Sequence, residues 1–237
     1  MLFSEKYSAC IFQKTLPLMN TTENEKHIPA LRFGWLTGLY DKLIAATMPE
    51  KAFKAALVRQ AGIRPGDRVL DFGTGTATLS ILLAEQHPDA DVTGVDVDEK
   101  VLGIARRKVL ESGIDVQLVR YDGKTLPFGR GSFERVVSSL VFHHLTRSQR
   151  QLALSELNRV IVPGGEFHIA DWGKPANSLQ RLLFYLVQLL DGFETTADSV
   201  RGNLPELLYE AGFDNVEETG CFKTVFGTLR LWRCTKW

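Results

Sequence analysis

The sequence predicts an α/β fold: a Rossmann-like, doubly wound, mostly parallel seven-stranded sheet with an antiparallel C-terminal edge strand. Runs rich in Val and Ile alternate with segments of helical period, as expected for a parallel sheet covered on both faces. The first run ends at Asp71 and passes through Gly73 and Gly75 into a helical pattern, which predicts a strand, a tight turn and a helix. Two closing strands, near 214–219 and 222–234, predict the antiparallel edge.

The remaining elements follow in order along the chain. Strands are predicted at 68–72, 91–96, 115–120, 133–139 and 166–171. Helices are predicted at 33–46, 50–62, 77–86, 98–112, 147–160, 177–190 and 203–211. The length suits one α/β core, so residues 31–237 are expected to form a single domain.

Residues 1–30 differ from the rest of the chain. They lack periodicity and include a polar run at 20–26, which predicts disorder. Residues 1–18 lack the long apolar run and small-residue cleavage site of a signal peptide. We expect no chemistry in this segment, and Met19 is an alternative start to Met1.

Composition narrows the function classes. Lys plus Arg number 28 and Asp plus Glu also 28, so no basic field attracts nucleic acid or an anionic membrane surface. No apolar stretch approaches the ~20 residues of a membrane-spanning helix. Cys10, Cys221 and Cys234 are odd in number and lack CxxC spacing, so neither a disulfide framework nor a metal site is expected. These features predict a cytoplasmic protein with a small-molecule partner and leave a homodimer open.

A second acid follows the glycine turn. Asp96 ends the second predicted strand about 20 residues beyond the glycines, the offset at which a carboxylate reaches a ribose diol in a βαβ nucleoside site. A dinucleotide fingerprint would place a third glycine at position 78, where this chain has Thr78. The pattern therefore predicts a nucleoside-containing cofactor and disfavours a nicotinamide dehydrogenase.

The turn itself carries a family resemblance. Its acid-x-Gly-x-Gly-x-Ala pattern at 71–77 resembles the first motif of the class I S-adenosylmethionine (SAM) methyltransferases, with Ala77 where many members carry glycine. The Leu-Pro-Phe segment at 126–128 and the His-His-Leu segment at 143–145 are similar to the ubiquinone/menaquinone-biosynthesis (methyltransferase type 11) branch. The likeness covers roughly residues 38 to 172 and implies the fold and SAM, but not the methyl acceptor.

The resemblance implies specific cofactor contacts. They fall on Tyr40, Asp71, Gly73, Gly75, Thr76, Asp96, Val97, Asp122, Gly123 and Ser139. Gly73 and Gly75 would pass beneath the methionine portion, with Thr76 on its carboxylate. Asp96 would accept from both ribose hydroxyls, beside adenine flanked by Val97.

Several of these residues have ordinary structural alternatives. Asp71 would orient the turn amides and the cofactor ammonium group, or cap the following helix. Asp122 would accept from the adenine amine beside the Gly123 amide, or belong to a common Asp-Gly turn. Ser139 is a cofactor contact or an ordinary strand-end hydroxyl.

The lid position also has two interpretations. The pair Tyr40-Asp41 resembles one that closes over the sulfonium in this branch, where an aromatic face suits a cation. Alternatively, Phe33, Trp35, Leu39 and Tyr40 form the core stripe of a helix. In this scheme residues 31–62 form a helical lid, and residues 172–212 supply helices on the substrate side.

Candidate catalytic residues are few. His143 and His144 follow the fourth predicted strand, and one could take a proton from the acceptor, or both could simply shape the site. Asp171, at the end of the fifth strand, carries the same ambiguity. The helix at 177–190 is apolar beyond one stripe, and the surplus could wall a lipophilic pocket, form a dimer contact or pack in the core.

The expected activity is SAM-dependent methyl transfer to a small, apolar or aromatic molecule by in-line displacement. Two alternatives stay open: a non-catalytic SAM-binding protein or sensor, and an aminopropyltransferase using decarboxylated SAM. A donor methyl group that substrates cannot reach would favour the sensor. A site for the donor carboxylate around Thr76 would argue against the aminopropyltransferase.

Overall fold

A computed structural model of the chain describes residues 48–237. The predictions for residues 1–30, the helix at 33–46, Tyr40 and Asp41 lie outside the described residues. The described helices are α1 (Glu50–Ala61), α2 (Thr78–Gln86), α3 (Glu99–Ser112), α4 (Arg147–Val160), α5 (Ser178–Asp191), α6 (Phe193–Arg201) and α7 (Leu204–Glu210). The strands are β1 (Arg68–Phe72), β2 (Asp91–Asp96), β3 (Gln117–Arg120), β4 (Phe133–Ser139), β5 (Ile161–Gly173), β6 (Phe213–Lys223) and β7 (Thr228–Lys236).

The seven strands form one sheet in the order β3-β2-β1-β4-β5-β7-β6. The first five are parallel, and β7 pairs antiparallel with both β5 and β6. This confirms the predicted doubly wound sheet and its antiparallel C-terminal edge. Strand β7 lies between β5 and the edge strand β6. The strand order reverses between β1 and β4, and the crevice at such a switch point is where open α/β sheets bind ligands.

Alternating side chains of the central strands face two cores. Leu70 of β1 packs in a cluster that includes Leu154 and Leu157 of α4. Its neighbour Val69 faces the opposite side and packs in a cluster with Phe53 of α1. Because successive side chains of a strand point to opposite faces, both faces of β1 are anchored and its carboxyl end is held in a fixed position.

Several elements differ from the sequence prediction. The closing strands, predicted near 214–219 and 222–234, span Phe213–Lys223 and Thr228–Lys236, so the turn between them lies at 224–227. The strand predicted at 166–171 extends over Ile161–Gly173, with an irregular register between Phe133 and Arg135 of its partner β4. Helix α6 was not predicted, because its short polar sequence has Thr and Asp at positions where periodicity would require apolar residues. Tertiary contacts hold it instead, since the Arg150 side chain binds its Asp198 carboxylate at 3.1 Å.

Candidate functional site

The glycine turn after β1 is tied to the end of β2. The amides of Gly73 and Thr74 both donate to the Val95 carbonyl at 2.9 Å. The amide of Gly75 donates to Oδ2 of Asp96, also at 2.9 Å. These three bonds make the turn and the Asp96 carboxylate one rigid unit at the switch point.

The two glycines are required for different reasons. Both have positive φ, 72° at Gly73 and 55° at Gly75, where glycine avoids the strain of a side chain. A Cβ on Gly73 would lie 2.3 Å from Cγ2 of Val141, so packing excludes it. A Cβ on Gly75 would meet nothing within 4 Å. Gly75 therefore borders open space that a ligand can occupy close to the backbone.

Asp96 is half-buried and already holds two amides. Besides Gly75 on Oδ2, its Oδ1 accepts from the Asp98 amide at 3.0 Å. A carboxylate has about four acceptor sites, so both oxygens keep capacity for further donors. Val97 follows it, and its Cγ1 lies 3.6 Å from the position of a Cβ on Gly123. Val97 and Gly123 are therefore close neighbours beyond the end of β2.

Asp71 is a buried carboxylate behind the turn. It accepts from the Ser80 hydroxyl at 2.6 Å, and the Ser80 oxygen is 2.6 Å from that of Thr74. Burial raises the pKa of Asp71 to about 6, against the lowering effect of the Ser80 and Thr74 hydrogen bonds. The N-cap residue of α2 is Ala77, and no side chain caps that helix, so the structure does not support the capping alternative for Asp71.

A second buried carboxylate organises the loop after β4. Oδ2 of Asp171 accepts from the amides of Val141 at 3.2 Å and Phe142 at 2.7 Å. Its Oδ1 accepts from the Trp172 amide and lies 2.7 Å from Nδ1 of His143. Burial pushes the pKa of Asp171 up, but the charge and hydrogen bond of His143 lead the opposing effects that hold it below its usual value. Asp171 therefore joins the ends of β4 and β5 to the histidine.

The two histidines have distinct environments. His143 is 4% exposed and is held by Asp171, whereas His144 is only partly buried, with its ring 3.8 Å from that of His143. Two effects lower the pKa of His144 to about 3: the larger is burial, and the smaller is the charge of the neighbouring His143. His144 is therefore neutral at physiological pH. Arg150 of α4 supports the same loop through a 2.7 Å hydrogen bond to the Phe142 carbonyl. No sequence pattern points to Arg150, because an arginine on an amphipathic helix is normally exposed.

The other predicted positions lie around this edge. Asp122 is exposed, and its Oδ1 accepts from the amides of Thr125 and Lys124 at 2.8 Å. These bonds lead the effects that lower its pKa below the usual range. Ser139 ends β4 with a buried Oγ that has no hydrogen-bond partner among residues 48–237. Thr76 is exposed on the turn.

Comparison with known proteins identifies the family of this chain. A model described as a methyltransferase domain matches residues 69–165. The uncharacterized methyltransferase sll0829 of Synechocystis is 30% identical over 188 residues, covering 79% of this chain and 86% of that protein. The chain belongs to the SAM-dependent methyltransferase family. Demethylmenaquinone methyltransferase of Thermus thermophilus is 34% identical over 134 residues, 53% of this chain and 60% of that protein, which agrees with the quinone-biosynthesis branch.

A solved structure supports the same fold. Magnesium protoporphyrin IX methyltransferase from Synechocystis, with bound S-adenosylhomocysteine, is 25% identical and superimposes with a TM-score of 0.58. The superposition covers 79% of this chain and 81% of that one. Within residues 48–237 of this methyltransferase, no helix is long and apolar enough to span a bilayer, and no His, Cys, Asp and Glu group could hold a metal ion.

The residues of this methyltransferase fit SAM, the cofactor of the family. The open space beside Gly75 allows close approach to the backbone. Asp96 keeps free acceptor sites, and it lies about 20 residues beyond the glycines, the offset at which a carboxylate reaches a ribose diol. The buried Ser139 hydroxyl lacks a partner in the described structure, as expected of a group that a ligand satisfies.

The difference between the two glycines is directly testable. Gly73→Ala is expected to lower the free energy of unfolding by about 2–4 kcal/mol, from overpacking against Val141 and left-handed strain. Adding Val141→Ala removes the clashing methyl groups and should recover part of that loss in urea titrations. Gly75→Ala adds only the strain, about 1–2 kcal/mol, but should weaken SAM binding. Equal destabilisation by the two alanines would contradict the assignment.

Proposed function

We propose that this methyltransferase transfers the SAM methyl group to a small lipophilic aromatic molecule, of the hydroquinone or phenol class. The observation that carries the proposal is the meeting of two sites at one edge of the sheet. The glycine turn and Asp96 end β1 and β2, and the His143–Asp171 pair follows β4 and β5. The quinone substrate named for the Thermus relative supports the acceptor class.

The proposed cofactor contacts follow the geometry. Asp96 accepts from the ribose hydroxyls while its amide bonds hold it in place. Adenine lies against Val97, with the Gly123 amide beside it and Asp122 accepting from its amine. The remaining proposed contacts are at the methionine end: Asp71 for the ammonium, Thr76 for the carboxylate, Gly73 and Gly75 beneath the chain, and Ser139 and Tyr40 near the sulfur.

The protein's part in the reaction is mainly alignment. SAM, when bound, supplies a methyl group already activated by a positively charged sulfur. Holding the nucleophile in line with that group can lower the barrier by about 7–11 kcal/mol. A phenolic acceptor also has to lose a proton, and Asp171 would stabilise the protonated form of His143. We therefore propose His143 as the proton acceptor, with neutral His144 shaping the site.

Transfer of a labelled methyl group tests the proposal. We expect label from SAM on an alkylated hydroquinone or phenol and little on amines or thiols. His143→Asn, which can still donate to Asp171, should lower kcat by about 100-fold or more without changing SAM affinity. His144→Asn is the matched control and should keep most activity. SAM binding without transfer to any acceptor would favour the sensor, and equal loss in both variants would remove His143 from the chemistry.

The pH dependence of SAM binding tests the role of Asp71. The pKa of Asp71 is raised from 3.8 to about 6, so the free protein carries it protonated below pH 6. An ammonium group prefers the carboxylate, so binding there must release a proton, and affinity should fall about tenfold per pH unit below 6. In Asp71→Asn the profile should be flat, as calorimetric titrations at several pH values would show.

Whereas SAM affinity should rise with pH, the contribution of Asp71 to folding stability should fall as pH rises. Because the folded-state pKa of Asp71 is raised, its contribution is fully present below pH 3.8 and is lost as pH rises through about 6. Without SAM, Asp71→Asn should therefore gain stability relative to wild type across that window. A wild-type affinity that does not change between pH 5 and 7 would contradict an ammonium contact at Asp71.

A further inference from the structure

Helix α5 has an exposed apolar outer face. Five of its large side chains and the first residue of α6 are strongly exposed: Leu179 65%, Leu182 62%, Tyr185 46%, Leu186 48%, Leu189 56% and Phe193 54%. Helical spacing places the five side chains of α5 on one side of the helix, and the ring centre of Phe193 lies 6.4 Å from that of Tyr185. Single exposed leucines are normal on a protein surface, but a continuous stripe of this kind marks an interaction site.

The opposite face of α5 already has its partners. Phe184 and Val187 are fully buried in a cluster with Trp172 and Phe226. Gln180 on the same side donates to the Thr224 carbonyl at 2.9 Å. The inner face therefore accounts for the attachment of α5 to the sheet, and the outer stripe is surplus to it.

The described chain begins beside this helix. Met48 packs against the cluster of Trp172, Phe184 and Val187, together with Leu183. The residues preceding Met48 are therefore joined to the described domain next to α5.

The segment directly before Met48 has a matching apolar stripe in its sequence. In the helix predicted over 33–46, helical spacing places Leu36, Leu39 and Leu43 on one side, with Tyr40 at the edge of that side. Asp41 and Lys42 fall away from it. At about 1.5 Å per residue the predicted helix would be roughly 21 Å long, and α5, with 14 residues, has the same length.

We propose that the outer face of α5 is the docking surface for this chain's own segment 33–46. The segment packs its apolar stripe along Leu179, Leu182, Leu186 and Leu189 as an added helix. A lipid surface fits less well, since α5 carries one cation, Arg181, whose guanidinium lies 4.1 Å from the centre of the Tyr185 ring. This docking does not depend on the proposed function.

Hydrogen exchange of the full chain tests the docking. Amides of 33–46 should be protected in the wild type, and Leu182→Glu/Leu186→Glu should raise their exchange at least tenfold while leaving β1 to β5 unchanged. Leu110→Glu is the matched control, because Leu110 is 82% exposed on α3. Rapid exchange of 33–46 in the wild type, or protection that survives the double substitution, would overturn the proposal.

A reciprocal variant and two further measurements distinguish segment 33–46 from a second copy of the chain and from lipid as the occupant of this face. Leu36→Glu/Leu43→Glu should speed exchange in α5 by a similar factor, which a merely local defect in α5 would not explain. A dimer in sedimentation that Leu182→Glu/Leu186→Glu dissociates would assign the surface to a second copy and overturn the proposal. Flotation of the wild type but not this variant with phosphatidylcholine–phosphatidylglycerol vesicles would assign it to lipid and overturn it as well. None of these readouts requires methyl transfer, so failure of the proposed acceptor leaves them interpretable.

Discussion

Replacing Asp171 with alanine is expected to lower the free energy of unfolding by about 3–5 kcal/mol, the cost of breaking a buried charged network from one side. The substitution strands the amides of Val141, Phe142 and Trp172 and removes the partner of His143. Each buried donor left without an acceptor costs about 1–3 kcal/mol. Urea titration followed by circular dichroism measures the change.

The matched control is a carboxylate without such contacts. Asp115 is exposed before β3, so Asp115→Ala should change stability by less than about 0.5 kcal/mol. A loss below about 1 kcal/mol in Asp171→Ala would mean that other contacts, such as that of Arg150 with the Phe142 carbonyl, hold the loop without Asp171.

The second large effect concerns SAM affinity. Asp96→Asn is expected to weaken SAM binding by about 100-fold or more, because hydrogen bonds to charged groups contribute about 1.5–3 kcal/mol each. Asparagine keeps one acceptor oxygen, so the hydrogen bond from the Gly75 amide can persist. The fold should therefore be less affected than the affinity. Calorimetric titration with SAM and S-adenosylhomocysteine measures the loss.

A control on the same strand separates charge from position. Asp91 begins β2 at the opposite end and is exposed, so Asp91→Asn should bind SAM like the wild type. If Asp96→Asn binds within about threefold of the wild type, a difference under about 1 kcal/mol, the ribose does not lie on Asp96.

The central strands were predictable because their sequence signals are local. The predicted bounds of 68–72, 91–96 and 133–139 coincide with β1, β2 and β4, since each is an apolar run ended by polar or turn residues. Helix α6 escaped prediction because its stability comes from the Arg150–Asp198 contact, which no local pattern encodes.

The site was predictable to the extent that its residues follow strands directly. Asp71 and Asp96 were located correctly at the carboxyl edge from strand ends alone. The network at Asp171 was not, because it depends on the pairing of Ser139 with Ala170, which brings the loop after β4 beside the end of β5. The distinct constraints on Gly73 and Gly75 likewise require knowledge of where Val141 lies.

The most direct test of the proposed cofactor site is a crystal structure with S-adenosylhomocysteine. The ribose hydroxyls should lie on Asp96, the adenine against Val97 beside the Gly123 amide, and the amino acid portion over the turn of Gly73 and Gly75. The sulfur should point toward the loop of His143. A nucleoside bound away from Asp96, or one whose sulfur faces away from that loop, would contradict it.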